Sequence, residues 1–109
     1  MSTRWFERAL AMMREPDPAR RESGFDFLRE HADSYVAELA AAFEREDDPR
    51  LRPLLLELLA EARADDALPV LAAQLAADDD DLRFWAVRGL EMLDTRASRA
   101  ALHEAGADG

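Results

Sequence analysis

Asp48-Pro49-Arg50-Leu51-Arg52 decides how this chain is read, because it has two counterparts. Asp17-Pro18-Ala19-Arg20-Arg21 precedes it and Asp79-Asp80-Asp81-Leu82-Arg83 follows it, both at the same 31-residue interval. Each copy opens on Asp and closes on Arg at the fifth position. Asp followed by Pro is a helix start: the carboxylate caps free backbone N–H groups, and proline fits the first helical position. A period in the window of about 20 to 50 residues marks a stacked array, in which each unit buries its apolar face on its neighbours. Such arrays present surfaces more readily than they build catalytic pockets.

The second copy continues as Pro53-Leu54-Leu55-Leu56-Glu57-Leu58-Leu59. Leu51, Leu54, Leu55, Leu58, Leu59 and Ala62 make a broad apolar helical face. Pro53 removes one backbone hydrogen bond, which predicts a kink or an irregular first turn. A following helix, capped by Asp65 or Asp66, carries Leu68, Leu71, Ala72 and Leu75 inward. The same alternation places Phe25, Leu28 and Ala32 on a first helix of the unit at 17–46. Val36, Leu39, Ala40 and Phe43 lie on its second helix, capped by Asp33 or Ser34. In the unit at 78–106, Leu82, Ala86, Leu90 and Leu93 form the stripe, with Trp85 beside it. Asp94 or Thr95 caps a last helix containing Leu102, and Gly106 stops it. Residues 107–109 are expected to fray. The second helices of the first two units align best at a shift of 32, so one residue has moved between linkers.

Residues 1–16 precede the units. They read as one helix over 2–15, capped by Ser2 or Thr3 and ended by Pro16 and Pro18. Trp5, Phe6, Ala9, Leu10 and Met13 fall on one face, expected to cover the open end of the first unit. Met1 and this capped helix read as the start of a complete chain.

Leu51 to Leu59, then Asp66-Ala67-Leu68-Pro69-Val70-Leu71, resemble a HEAT repeat of the short bacterial phycobilin-lyase-like type. The resemblance is strong over 47–102, weaker over 17–46 and absent from 1–15. It implies an all-α fold: a short right-handed α-solenoid of about three helix pairs at 17–46, 47–77 and 78–106 behind a capping helix. Arg20 departs from the family's Val, Ile or Leu. Arg99 stands where Leu68 stands one unit earlier, which suits a terminal helix. Most members of this repeat class are scaffolds, and nothing in these residues singles out bilin chemistry.

Composition agrees with helix. Of 109 residues, 49% are hydrophobic and 35% charged, with four Gly, five Pro and no long β-branched run. The absence of cysteine excludes disulfides and thiolate chemistry. The net charge of −10 disfavours nucleic acid and anionic membranes and is compatible with a basic protein partner. No signal core or spanning stretch is present in the sequence, so a cytoplasmic location is expected.

No catalytic or cofactor motif stands out. Asp78–Asp81 lacks the spaced pattern of a calcium loop and reads as a solvated helix start. His31 and His103 lie far apart in the chain, on different units and in no motif. No catalytic, cofactor or metal residue is therefore assigned. The recurring Asp and Arg read as caps with hydrogen bonds between units and intrahelical pairing, rather than as a binding ladder. Candidate partner-binding residues lie in two places. The non-core positions of the second helices, expected to line a concave face, include Glu38, Ala41, Ala42 and Arg45, then Val70, Ala73, Gln74 and Ala77, then Ala101, Glu104 and Ala105. On the third unit, Phe84 falls near Arg88 and Glu91 on the wheel, opposite Leu82, Ala86 and Leu93. Its ring is either an exposed contact point or folded back over a neighbouring helix or the Pro53 turn. The function expected is a small, non-enzymatic protein-interaction module. The alternatives are an acidic inhibitor or immunity-type blocker of a basic protein, an accessory factor to a tetrapyrrole-handling enzyme, and a self-associating unit.

Overall fold

A computed structural model describes residues 3–106. Among them the chain is all-helical, with seven α-helices and no strand. They are α1 Arg4–Met12, α2 Pro18–Glu30, α3 Val36–Arg45, α4 Leu51–Ala62, α5 Leu68–Ala73, α6 Asp80–Leu93 and α7 Arg96–Glu104. The even-numbered helices form one layer, with α4 packed on both α2 and α6. The odd-numbered helices lie against them, α1 on α2, α3 on α4, and α5 and α7 on α6. Leu28, Leu39, Phe43, Leu55, Leu58, Leu59, Ala86 and Leu90 are sealed between the layers. No helix of the described residues is long and apolar enough to cross a membrane.

The repeated pentad explains how the layers are joined. Asp17, Asp48 and Asp79 each accept a hydrogen bond at Oδ1 from the N–H two positions on, at 3.0, 2.9 and 2.8 Å. The three arginines all point backwards. Arg21 donates to the carbonyls of Glu15 and Pro16, Arg52 to those of Phe43 and Glu46, and Arg83 to that of Ala77. Each guanidinium thus satisfies carbonyls left open where the preceding helical segment ends. Arg52 also lies 4.1 Å over the Phe43 ring. The expected pairing of the first Asp with the last Arg of each pentad does not form. Arg83 instead pairs with Asp80. The same spacing recurs at two left-handed residues, Arg63 (φ 49°) and Asp94 (φ 50°), which end α4 and α6.

Several expected helix starts are corrected. α3 and α5 begin without a side-chain cap, because single 3₁₀ turns at Ala32–Ser34 and Asp65–Ala67 lead into them. Neither Asp33, Ser34, Asp65 nor Asp66 therefore caps. These helices start at Val36 and Leu68, as the alignment at a shift of 32 requires. Asp79 caps α6, and Thr95 caps α7 in a reciprocal box with Ser98. At α4, Pro53 has no N–H to offer Pro49, so residues 49–50 form a turn and the regular helix begins at Leu51. Gly106 ends α7 with φ 71°. Arg20 and Arg99 sit on the surface, paired with Glu15 and Asp94.

The leading helix is shorter than 2–15. Ser2 lies outside the described residues, and Thr3 makes no capping bond; its hydroxyl meets Glu7 instead. Phe6, Ala9 and Met13 are buried, and Phe6 packs 5.4 Å from the Tyr35 ring. Trp5 is the exception: 55% of it is exposed, so it does not help to seal the first unit. The C-terminal end of α1 is tied to the α3–α4 corner. Arg14 holds the Glu46 carboxylate through both of its terminal nitrogens, Glu46 accepts from the Asp48 N–H at 3.1 Å, and Arg50 donates to the Met13 carbonyl at 3.0 Å.

Among the described residues Glu46 is the one buried acid, only 7% exposed. The Arg14 hydrogen bonds hold its carboxyl below the ordinary 4.5, against the opposing effect of burial. A depressed folded-state pKa stabilises the fold above 4.5, and the gain is lost as pH falls through the folded value. Glu46→Gln is therefore expected to be less stable than the parent at neutral pH, with the gap closing below pH 4.5. Urea midpoints taken across that range test it; a gap that persists in acid would place the stabilisation elsewhere.

Candidate binding surface

The candidate residues fall into separate neighbourhoods. Glu38 and Arg45 line a cleft between α1 and α3 of about 180 Å³, with Thr3, Phe6, Glu7, Leu10 and Ala41. Arg45 also borders a polar hollow beside Glu46 and Asp47. Ala42, expected on the open face, is buried because α1 lies over that side of α3. Val70 is half-buried against the core, and Gln74 is half-buried where α5 tightens into the 3₁₀ turn Gln74–Ala76.

Phe84, Arg88 and Glu104 do share one surface. α6 and α7 are joined by a short turn, so the start of α6 lies beside the end of α7. Between them is a hollow of about 520 Å³ lined by Leu75, Arg83, Phe84, Val87, Arg88, Glu91 and Ala105. Leu75 and Ala105 also line a trough of about 460 Å³ that runs on past Ala72, Ala76, Ala101 and Glu104. The floor is aliphatic, and Phe84 forms one wall. The ring is not folded back: 58% of Phe84 is exposed. It meets Trp85 edge-to-face at 5.0 Å, and Trp85 packs on the core and fixes it in place. Arg88 and Glu91 stand on the rim and make no ion pair among the described residues.

Trp5 marks a second hydrophobic place, where the sequence pattern had pointed inward. It lines a groove of about 240 Å³ with Arg8, Ala9, Met12, Ser23 and Phe27, and the Arg8 guanidinium lies 5.9 Å from its ring. The signal is present in the chain: Phe6, Ala9 and Met13 already make a complete stripe, and Trp5 falls one step outside it.

The charged side chains at the two places are Arg83, Arg88 and Glu91 at the first and Arg8 at the second. Among the described residues, no three His, Asp or Glu side chains converge as metal ligands. His31 packs on Phe27 at 4.5 Å, while His103 lies in the last turn of α7. Glu57 has its pKa raised, first by burial and then by the nearby Glu61 charge, with Arg29 opposing; it sits on α4, away from both surfaces. Comparison with known proteins found no matching family model, no matching curated protein and no matching solved structure.

Proposed function

We infer that this chain is a non-enzymatic protein-interaction module built as a short HEAT-like α-solenoid, three helix pairs behind a leading helix. The two-layer helix order and the recurring Asp and Arg roles support the repeat reading. The observation that carries the functional reading is the exposed Phe84 ring standing over the apolar hollow between α6 and α7. A large aromatic held rigidly beside an Arg is the type of residue that dominates interface energies. The occupant is a helix or short segment of another protein, bound by shape and charge with no covalent step.

The −10 charge favours a basic protein as that partner, including the case of an acidic blocker. Association of that kind weakens as salt screens it. The test is affinity capture with salt-stepped elution, comparing the parent chain with Phe84→Asp and Trp5→Ala. One protein released by rising salt, lost with Phe84→Asp and kept with Trp5→Ala, is the expected result. Equal capture by Phe84→Asp would remove this surface from the function.

A further inference from the structure

Among the described residues no helix covers the face of α6 that carries Phe84. Moving Pro53, Leu56, Glu57 and Ala60 of α4 forward by one repeat period gives Phe84, Val87, Arg88 and Glu91 of α6. On α4 that face is covered by the next helix of its layer: Leu56 and Ala60 are buried, and a Cβ on Gly89 of α6 would lie 3.0 Å from the Ala60 Cβ. On α6 the corresponding Val87 is half-buried, while Phe84, Arg88 and Glu91 are exposed.

Of the two exposed charges on this face, Arg88 and Glu91, the second has an ion-paired counterpart in the stack, and it says what fits. One step back in the stack, Arg29 of α2 meets Glu61 of α4 at 3.7 Å. Moved forward two periods, the place of Arg29 is taken by Glu91. The polarity is reversed, so an occupant in the same register needs a cation where α4 has Glu61. That position is in the last turn of the docked helix, where the helix dipole also favours positive charge. A second copy of this chain brings the wrong group. Its α2 would carry Glu30 there, one period before Glu61. Both Glu30 and Glu91 are exposed, and neither has an ion-pair partner among the described residues.

We propose that the open face of α6 accepts a partner helix stacked as α4 stacks on α2, with a Lys or Arg in its last turn facing Glu91, and that Glu30 excludes a second copy from this place. The proposal rests on the interaction reading above and specifies its partner. Reversing one charge makes the chain its own probe. E30R supplies the missing cation, and E91R restores the Arg29–Glu61 polarity between copies. A head-to-tail contact does not close on itself, so its mass climbs past dimer as concentration rises.

Sedimentation equilibrium of the parent, E30R, E91R and the double variant E30R/E91R tests this, with circular dichroism confirming that each is folded. The expected result is a monomeric parent, mass rising with concentration for each single variant and falling back with added salt, and a monomeric double variant in which two arginines now face each other. Both sites are exposed, so either single variant stands as the test if the other fails to fold. Single variants that stay monomeric would overturn the proposal, as would association that the double variant keeps. Either failure leaves the Phe84 capture experiment unaffected, so the register is tested apart from the function.

Discussion

Gly24→Ala is expected to destabilise the protein by about 2–3 kcal/mol, against the usual sign of that change. In a helix interior, alanine is favoured over glycine by up to about 1 kcal/mol. Gly24 lies within α2, at its crossing with α1. A Cβ there would stand 2.4 Å from the Ala9 carbonyl oxygen, 2.9 Å from the Met12 Cβ and 3.3 Å from the Met13 nitrogen. Two of these three atoms belong to backbone, which a rotamer change cannot move aside. Overpacking of this kind costs about 1–3 kcal/mol, and a rigid obstacle puts it at the upper end. Relief requires α1 to move off α2, which also pulls on Arg14, Glu46 and the Arg50 bond to Met13. Gly89→Ala is a control with a softer obstacle: its closest approach is to Leu71 Cδ2 at 2.8 Å, the free end of a side chain. Urea denaturation should therefore rank Gly24→Ala well below Gly89→Ala. A Gly24→Ala protein as stable as the parent would mean that α1 does not cross α2 at this distance.

Phe43→Ala is expected to cost more, about 3–5 kcal/mol, the range for deleting a buried phenylalanine. Phe43 is 0% exposed, and its ring carries the Arg52 guanidinium on one face. Truncation leaves a cavity between the layers and takes away the surface on which Arg52 rests while it bonds two carbonyls. Domains of this size have only about 5–15 kcal/mol in total, so the variant should unfold near the lower limit of measurable stability. Phe84→Ala is the counterpart. An exposed side chain without buried partners changes stability by about 0.5 kcal/mol or less. The pair separates a residue that holds the fold from one available to a partner. Thermal melts of both variants are sufficient; a Phe84→Ala loss comparable to that of Phe43→Ala would mean that the Phe84 ring supports the core after all.

The helical class and the 31-residue recurrence of the pentad are legible in the chain because their causes are local. Leucines at helical spacing force a face, Asp caps the turn that follows it, and a fixed period survives any arrangement of the units in space. Leu28, Leu55, Leu59 and Leu90 point inward on that basis, and each is buried. Asp33, Ser34, Asp65 and Asp66 mislead as caps because their residue type suits a helix start, while the 3₁₀ turns that displace them depend on how the chain reverses direction. The direction of each Arg in the pentad is likewise out of reach, since its carbonyl partners are supplied by the preceding helix.

The surface follows the same division. Sequence places Phe84, Arg88 and Glu91 on one side of α6, but the side that neighbours leave uncovered is a property of the packed layers. Trp5 and Phe6 are adjacent and both large and aromatic; Phe6 shares the stripe of Ala9 and Met13, and the seat of α1 against α2 and Tyr35 buries that stripe while leaving Trp5, one step outside it, in solvent. Sequence alone determined that this chain is helical and periodic, because periodicity and capping act within a turn or two of backbone. Tertiary structure decided which faces stay open, because burial is settled between helices distant in the chain.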